Sequence, residues 1–409
     1  MKRILFLNRY FFPDHAATSQ LMSDLAFHLA ERGHDIRVFT SRQRYDDPFA
    51  ALPESEVVRG VAIRRLATTR FGRAGLIGRG FDYASFYREV RRAVIETGEP
   101  GDILVAKTDP PLLCLPALQA ARRRRLLLVN WLQDLYPEVA MRLKVPLFGS
   151  TAGRILLRMR DNALRAAAAN VVVGEGMAAV VSGRGIPANR LHVIANWCDD
   201  EDIRPIPPHE NPLRQEWHLE DKFVVGYSGN LGRGHEYATL LDAARRLRDE
   251  ARLVFLFIGG GRQFDALARE VAAQGLGERF RFLPYQERAR LKYSLGVADV
   301  HWLSLRPELE GLIVPSKFYG IAAAGRPVVA ITALDGEIAT LVRDNCCGVA
   351  IAPGDGPGLA DALRSLLESP DLTADMGRRA RALLDAGFTR AHGLARWERV
   401  LSTLETSKP

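Results

Sequence analysis

Short apolar runs alternate with amphipathic segments along the whole of this chain. Residues 4–7 form an apolar run without polar interruption, and residues 20–32 repeat leucine at helical spacing, with Leu21, Leu25 and Leu29 on one face. Continuous short apolar runs are typical of strands that are buried on both faces of a parallel sheet. The repetition of strand and helix predicts an α/β fold built from βαβ units.

The same pattern divides the chain into two halves. Strands are predicted in the first half at residues 4–7, 36–40, 61–66, 103–106, 126–132, 170–173 and 191–194, and in the second half at residues 223–227, 253–258, 280–283, 298–303, 328–331 and 349–351. Between them, the proline-rich stretch from Cys198 to Leu219 lacks periodicity and is the predicted linker. Because 409 residues exceed what one core usually supports, two domains are expected.

One stretch, residues 308–331, combines several groups that bind phosphate and sugar. An acidic loop with Glu308 and Glu310 runs through Pro315 into a predicted helix at residues 316–324, which Gly325 ends. The start of that helix presents backbone N–H groups, the Ser316 hydroxyl and the Lys317 ammonium, which suit a phosphate. The carboxylates suit sugar hydroxyls. The alternative interpretation is an ordinary crossover with a solvated lysine.

Two further stretches lie where predicted strands end, the edge at which open α/β sheets bind ligands. Residues 228–236 form a glycine-rich loop before a helix, which is the geometry of a phosphate cradle but a weak signal alone. Gln133, Asp134 and Glu138 follow the apolar run at residues 126–132 and are candidates for binding a second substrate. For Asp134 the alternative is a carboxylate that caps a loop.

Together these stretches resemble the GT-B nucleotide-sugar glycosyltransferases of the family-4 type. The Pro-Ser-Lys-x-Tyr pattern at residues 315–319 resembles the subgroup that acts in surface-polysaccharide and O-antigen assembly. The resemblance implies two Rossmann-like domains facing across a cleft, with a C-terminal helix that crosses back to the first domain. The expected bounds are 1–200 for an acceptor-binding domain, 201–388 for a nucleotide-sugar donor-binding domain and 389–409 for the returning helix.

The resemblance also implies a function and roles for residues. We expect a retaining enzyme that moves a sugar from a nucleotide-sugar, with UDP favoured over GDP, to a lipid-linked or saccharide acceptor. The implied catalytic residues are Arg233, Lys317, Glu310 and Asp134. The implied donor-binding residues are Gly229, Asn230, Gly232, His235, Gly259, Gly260, Pro284, Tyr285, Gly311, Leu312 and Ser316. The implied acceptor-side residues are Thr18, Gln133, Glu138 and Glu175.

The chain departs from the family pattern at several of these positions. Gln133 stands where histidine is common, Asn230 where an arginine binds diphosphate, and His235 near the position of a lysine. Gly320 stands at the position of a second glutamate that holds the ribose. These departures leave two alternatives open: a UDP-N-acetylglucosamine 2-epimerase of the same fold, and a nucleotide-sugar-binding scaffold without catalysis.

Charge and cysteine content add expectations about partners. Lys and Arg number 56 against 48 Asp and Glu, with a pI near 9.5, which suits an anionic partner but does not identify it. Arginines mix with aromatic residues over residues 70–97, among them Arg70, Arg73 and Phe71, which suits a peripheral contact with an anionic membrane or a solvated helix face.

The remaining features favour a cytoplasmic location, and the resemblance implies an enzyme that works without a cofactor. The arginine run at residues 122–125 lacks interleaved aromatic residues, so nucleic-acid binding is not expected. The four cysteines show no metal-binding spacing and fit a reducing cytoplasm, with the inner face of the plasma membrane as a further option. No cofactor and no metal are expected, since the family usually works without one. No signal peptide is expected, because the first apolar run is short.

Overall fold

A computed structural model of the chain describes residues 2–45, 47, 49–50, 52–72, 75–146, 148–149 and 151–406. The chain forms two compact units. Unit 1 comprises Met1–Ala195 together with Gly393–Pro409, and unit 2 comprises Asn196–His392. Arg73, from the arginine-rich segment named above, lies outside the described residues.

Unit 1 is built on one eight-stranded sheet. Its strands are β1 (Ile4–Leu7), β2 (Ile36–Ser41), β3 (Ser55–Val58), β4 (Val61–Leu66), β5 (Ile103–Lys107), β6 (Leu127–Leu132), β7 (Ala169–Val172) and β8 (Leu191–Val193). Its helices up to residue 195 are α1 (Ala17–Glu31), α2 (Leu76–Thr97), α3 (Cys114–Arg124), α4 (Glu138–Arg142), α5 (Thr151–Ala166) and α6 (Glu175–Ser182).

The sheet of unit 1 has the order β3-β4-β2-β1-β5-β6-β7-β8, and only β3 pairs antiparallel. Alternate residues of the central strands face two helical layers. Leu5 and Leu7 of β1 pack with Phe86 and Val90 of α2 and with Ala117 of α3 in one buried cluster. Because both faces of β1 are covered, all four of its residues are apolar and buried, as the continuous run predicts.

Unit 2 repeats this plan with a six-stranded, wholly parallel sheet in the order β11-β10-β9-β12-β13-β14. Its strands are β9 (Phe223–Asn230), β10 (Leu253–Gly260), β11 (Phe280–Leu283), β12 (Val300–Ser304), β13 (Val328–Ile331) and β14 (Gly348–Ile351). Its helices are α7 (Pro212–Glu216), α8 (Ala238–Arg246), α9 (Phe264–Ala273), α10 (Leu291–Gly296), α11 (Lys317–Ala323), α12 (Glu337–Asp344), α13 (Gly356–Glu368) and α14 (Pro370–Gly387).

These two sheets confirm the predicted pair of Rossmann-like domains. In unit 2 the core on one face of the sheet contains Tyr227, Phe257 and Trp302, whose ring centroids lie 5.1–5.6 Å apart. The aromatic cluster lies directly beneath the carboxyl ends of β9 and β12. It therefore supports the loops that leave those strands.

The stretch from Cys198 to Leu219, predicted as a linker, folds as part of unit 2. Asn211 caps α7 by accepting a hydrogen bond from the N–H of Leu213 at 3.0 Å. The buried Arg214 donates to the carbonyl of Val297 at 2.9 Å and pairs with Asp299 at 3.1 Å. The contacts of Asn211 and Arg214 anchor a segment whose composition resembles a linker, and periodicity does not reveal them.

The last helix, α15 (Arg390–Thr406), begins in unit 2 and continues into unit 1. In unit 1, Trp397 is fully buried against Trp131 of β6, with ring centroids 4.6 Å apart. The Glu398 carboxylate lies 2.9 Å from Nε2 of His28 in α1. The Lys2 ammonium donates a hydrogen bond to the carbonyl of Leu404 at 2.8 Å. The C-terminal residues thus pack in the first domain, as the resemblance implies.

Removing the Trp397 side chain tests how much this returning helix stabilises unit 1. Trp397→Ala leaves a cavity beside Trp131, so the free energy of unfolding is expected to fall by about 3–5 kcal/mol. Urea denaturation followed by circular dichroism measures it. Leu372→Ala on α14 is the matched control, because Leu372 is 43% exposed and its loss should change stability by about 0.5 kcal/mol or less. Equal effects of the two substitutions would contradict the role given to α15.

Candidate active site

Two glycines bring the ends of β9 and β10 into close contact. Gly229 and Gly259 are register partners and have φ values of +124° and +137°, which side chains rarely adopt. A Cβ atom on Gly259 would lie 2.2 Å from the carbonyl oxygen of Gly229. A Cβ atom on Gly229 would lie 2.8 Å from Cε of Lys317. Only glycine at both positions lets Lys317 lie across the strand ends.

Lys317 places its ammonium above this glycine pair. Its Nζ lies 3.4 Å from the carbonyl oxygen of Asn230 and 5.3 Å from the ring centroid of Tyr227. The side chain is half-buried, and burial lowers its pKa to about 8. No carboxylate contributes to that shift in pKa. The ammonium is therefore held in place by neutral groups and remains available to an anion.

His235 lies in the same loop, but its ring is neutral near pH 7. Its Nδ1 lies 2.8 Å from the carbonyl oxygen of Ser304, which can only accept, so Nδ1 carries the proton. Its Nε2 lies 3.3 Å from the Tyr227 hydroxyl. Burial first, and then the nearby Lys317, lower the pKa of His235 to about 3. His235 stands near the family's lysine position, yet it holds the loop rather than supplying a cation.

Arg233 is the exposed cation of this loop. It lies in a turn closed by the hydrogen bond from the N–H of His235 to the carbonyl of Gly232, at 3.2 Å. Gln263, which sequence reasoning missed, holds this turn from the segment between β10 and α9. Its Nε2 donates to the carbonyls of Gly232 at 2.6 Å and His235 at 3.3 Å. A polar residue two positions after three consecutive glycines is the signal that could have revealed it.

Hydrogen bonds hold the carboxylate of Glu310 against the start of α12. Its carboxylate accepts a hydrogen bond from the N–H of Glu337 at 2.8 Å and lies 3.5 Å from the Thr332 hydroxyl. A Cβ atom on Gly336 would approach this carboxylate to 2.6 Å, so glycine permits the contact. Each carboxylate oxygen keeps a further lone pair. Glu310 is thus held in one orientation and can still accept from a sugar hydroxyl.

The other donor-side candidates surround these groups in unit 2. Tyr285, after Pro284, is 60% exposed, and a Cβ atom on Gly260 would lie 3.3 Å from its ring. Gly311 has a φ of +71°, Leu312 is buried, and Ser316 immediately precedes α11 without a side-chain capping bond. Gly320 lies inside α11, and a side chain there would contact Leu295. The structure gathers the predicted donor residues at one edge of the sheet.

In unit 1, two carboxyl groups follow adjacent strands at the carboxyl edge. Asp134 comes two residues after β6 and Asp109 two residues after β5. Burial, and then the charge of Asp109, raise the pKa of Asp134 to about 6, and burial raises the pKa of Asp109 to about 6. Gln133 joins the two strand ends by donating its N–H to the Thr108 hydroxyl at 3.2 Å. The Asp-Pro-Pro sequence at a strand end is the signal for Asp109, which was missed as a site residue.

Aromatic side chains and one arginine surround this carboxyl pair. The guanidinium of Arg9 lies 5.4 Å from the ring centroid of Tyr10 and 5.3 Å from that of Tyr83. Burial raises the pKa of Tyr10, and Asp109 adds to the effect. Burial and then Asp134 raise the pKa of Tyr136. Carboxylates and phenols beside aromatic rings are groups that bind hydroxyl-rich ligands.

The remaining acceptor-side candidates are a glutamate in a buried ion pair and two residues in the first turns of helices. Glu138 is buried and accepts a hydrogen bond from the buried Arg160, with Arg184 at 3.4 Å. Such a pair is costly to break, because either partner alone would leave a buried charge. Thr18 is half-buried in the first turn of α1, and Glu175 is the exposed first residue of α6. The ion pair gives Glu138 a structural role that its sequence position does not reveal.

Both halves of the chain match models of known domains. The model described as a glycosyl transferase 4-like domain matches residues 18–197, and the model described as glycosyl transferases group 1 matches residues 210–383. Together the two models account for most of the chain. They correspond to unit 1 and unit 2, respectively.

Curated relatives are similar over part or most of their length. The glycosyltransferase WbjE of Pseudomonas aeruginosa is 27% identical over 291 residues, which is 71% of either chain. WcaI of Escherichia coli K12, named for colanic acid biosynthesis, is 26% identical over 53% of this chain and 54% of its own. A D-inositol 3-phosphate glycosyltransferase of Nocardia farcinica is 33% identical over 41% of this chain and 38% of its own.

Solved structures share the fold. Anabaena HepE in complex with UDP superposes with a TM-score of 0.72 at 19% identity, covering 98% of this chain and 100% of its own. WaaG, a glycosyltransferase involved in lipopolysaccharide biosynthesis, has a TM-score of 0.70 at 16% identity, covering 99% and 100%. At these identities the likeness concerns the fold.

The lowered pKa of Lys317 predicts that affinity for a nucleoside diphosphate falls as the pH rises through about 8. Above that pH the ammonium loses its proton and its attraction for phosphate. Stability should change in the opposite direction, because the unfolded chain, with a lysine pKa of 10.5, binds more protons over that interval. Titration calorimetry between about pH 7 and about pH 9.5 measures the affinity.

Lys317→Arg is the control for this pH dependence. Arginine stays charged throughout this range, so the affinity of that variant should change little with pH. A decline in affinity that is equally steep in both proteins would exclude Lys317 as its origin.

Proposed function

The chain belongs to the group 1 glycosyltransferases with a 4-like N-terminal domain, and on that premise we propose a retaining transfer from a UDP-sugar to a lipid-linked saccharide. Membership in the family makes it a glycosyltransferase enzyme. The donor nucleotide, the stereochemistry, the acceptor and a role in surface-polysaccharide assembly are the parts we propose.

The position of Lys317 carries the proposal. When the bond between sugar and diphosphate breaks, negative charge develops on the leaving phosphate, and a preorganised cation lowers that barrier. Lys317 lies over Gly229 with its Nζ near the Asn230 carbonyl, and no acidic residue pairs with it in the part of the chain that the structure describes. Arg233, exposed in the adjacent turn, supplies a second positive charge. With two side-chain cations, we propose that transfer proceeds without a metal ion.

Two observations support a nucleotide donor, and the second of them concerns UDP. The exposed Tyr285 ring lies beside Gly260 at the end of β10, where it can stack on a base. HepE, which shares the fold, has been solved with UDP and with UDP-glucose. Glu310, held against α12, is the group we propose to accept from the sugar hydroxyls.

The acceptor assignment is supported by unit 1. Asp109 and Asp134 lie close enough to Tyr10, Tyr83 and Tyr136 to raise the pKa of these phenols, and together they provide the hydrogen-bonding and stacking groups that a saccharide needs. WcaI is named for colanic acid biosynthesis and WaaG for lipopolysaccharide biosynthesis. No helix among the described residues is long and apolar enough to cross a membrane. We propose that the chain meets a lipid-linked acceptor as a peripheral protein on the inner membrane face.

A thermal-shift panel with UDP, GDP, TDP, CMP and NAD, with and without magnesium, tests the donor. UDP is expected to raise the melting temperature in a dose-dependent manner without magnesium, because a ligand at 100 times its Kd stabilises by about 2.7 kcal/mol. Lys317→Ala should abolish most of that shift while changing the melting temperature of the free protein little. A shift that needs magnesium, or a UDP response unchanged in the variant, would refute the assignment of Lys317.

The raised pKa of Asp134 predicts an acid limb in the pH profile of transfer. If the ionised carboxylate accepts a hydrogen bond from the acceptor hydroxyl, kcat/KM falls as the pH drops through about 6. Asp134→Asn should lower kcat/KM by about 100-fold and remove the limb. Radiolabelled transfer to a membrane extract measures it.

Asp109→Asn is the matched control. Because the charge of Asp109 raises the pKa of Asp134, its removal should move the acid limb to lower pH and leave the limb present. An Asp134→Asn enzyme that keeps the limb would exclude Asp134. Formation of UDP from a UDP-sugar in the absence of any acceptor would favour the epimerase alternative. Binding of UDP without turnover of any UDP-sugar would favour the scaffold alternative.

A further inference from the structure

Exposed apolar side chains are concentrated in unit 1. Of the 12 large apolar side chains that are exposed among the described residues, nine belong to unit 1. Five of them belong to two helices and to the loop before the first of these. Phe71, in the loop before α2, and Ile77 and Phe81, in its first two turns, are 60%, 79% and 60% exposed. Ile155 and Met159, near the start and in the middle of α5, are 50% and 44% exposed.

The beginnings of these two helices lie on the same side of unit 1 as the candidate acceptor site. Both helices follow parallel strands of one sheet, so each begins near the carboxyl edge and runs back towards the other edge. Helix α3 packs against both α2 and α5 and lies between them. The apolar residues of α2 and those of α5 therefore lie on either side of α3, near the carboxyl edge of the sheet, which also carries Asp109 and Asp134.

Basic residues accompany the apolar ones on α5. Arg154 and Arg158 are exposed next to Ile155 and Met159, and no exposed position of α5 is acidic, since Asp161 is buried beside Arg160. Arg142 and Lys144, just before the helix, are also exposed. Apolar residues bordered by arginine on one helix face are typical of helices that lie in the interface of an anionic bilayer.

The positive charge of the chain is also concentrated in unit 1. Unit 1 contains 32 Lys and Arg against 20 Asp and Glu, whereas unit 2 contains 24 against 28. The net charges of +12 and −4 add to the +8 of the chain. The basic excess is therefore a property of unit 1 and not of the nucleotide-binding unit, which argues against donor phosphates as its cause.

A buried carboxylate joins the apolar loop to the acceptor site. Asp82, 1% exposed, accepts hydrogen bonds from the N–H groups of Phe71 at 3.0 Å and Gly72 at 2.9 Å, and from the Thr69 hydroxyl at 2.7 Å. The same carboxylate lies 3.8 Å from the guanidinium of Arg9. The loop that presents Phe71 is thus held in a defined position relative to the acceptor-side residues.

We propose that unit 1 docks on an anionic bilayer through this surface, which we call the α2–α5 face: Phe71, Ile77, Phe81, Ile155 and Met159, with Arg154 and Arg158. The apolar side chains enter the head-group region, and the arginines bind acidic lipid head groups. The inference rests on the proposed lipid-linked acceptor, and it adds which residues face the lipid. Docking in this orientation brings the carboxyl edge of the unit 1 sheet to the membrane surface.

Vesicle co-sedimentation of the full chain tests the electrostatic part. The protein is expected to bind phosphatidylcholine vesicles that contain phosphatidylglycerol, and to bind pure phosphatidylcholine weakly. The double substitution R154Q/R158Q should weaken binding about tenfold or more, since each basic residue near the surface contributes about 1 kcal/mol. The matched control, R364Q/R378Q, removes two exposed arginines of unit 2 and should leave binding unchanged.

Tryptophan fluorescence tests the orientation. Ile77→Trp should show a blue shift with anionic vesicles, because its side chain leaves water, whereas Leu372→Trp on α14 should show none. No blue shift at position 77, equal binding to neutral vesicles, or equal loss in both arginine pairs would overturn the proposal. Self-association that depends on these residues in the absence of lipid would assign the face to a second copy instead.

These measurements are separable from the proposed function. UDP-induced stabilisation reports on unit 2 and should be the same in R154Q/R158Q as in the unchanged protein. Loss of vesicle binding with retained UDP response would concern the α2–α5 face alone. Absence of any UDP response, with vesicle binding intact, would concern the donor assignment and leave the docking surface standing.

Discussion

The close approach of β9 and β10 at their carboxyl ends is the constraint on which the candidate donor site depends. Gly229 and Gly259 face each other with positive φ, and no room remains for a Cβ atom on Gly259. Lys317 occupies the space above Gly229, so its ammonium meets backbone oxygen rather than a carboxylate. Gln263 and His235 then hold the loop beyond the strand from two sides, through backbone carbonyls. A side chain at Gly229 would displace the lysine, and one at Gly259 would collide with the backbone of Gly229.

In unit 1 the buried carboxylates are of two kinds: some are paired with an arginine, and others remain available to a ligand. Glu138 is paired with Arg160, and Asp82 holds a loop while facing Arg9. Asp109 and Asp134, by contrast, keep raised pKa values because burial outweighs the attraction of any nearby cation. The contrast separates carboxylates that stabilise the unit from carboxylates that can respond to a bound hydroxyl group.

The sequence predicted β1 and β13 at their observed bounds, because each is a continuous apolar run that is buried along its whole length. It also predicted the bounds of β4 and β11, whose apolar residues are interrupted by arginine. It missed β3, because Ser55–Val58 is a half-exposed edge strand whose residues alternate with solvent. Helix α1 begins at Ala17, three residues before the predicted helical stretch at residues 20–32, and the Asp14 carboxylate accepts the N–H of Ala16 just before it.

The sequence by itself determined the order of strands and helices, the division into two α/β halves, the family, and the glycines and lysine of the donor loop. All of these follow from neighbouring residues and from motif spacing. The tertiary structure decided the charge state and the partner of each polar group. Asp134 and Glu138 are alike and close in sequence, yet Glu138 pairs with an arginine 22 positions away, and Asp134 is paired with no basic residue within 4 Å in the described part of the chain. His235 is neutral because it is buried against a carbonyl 69 positions away. Burial and pairing depend on residues that only folding brings together.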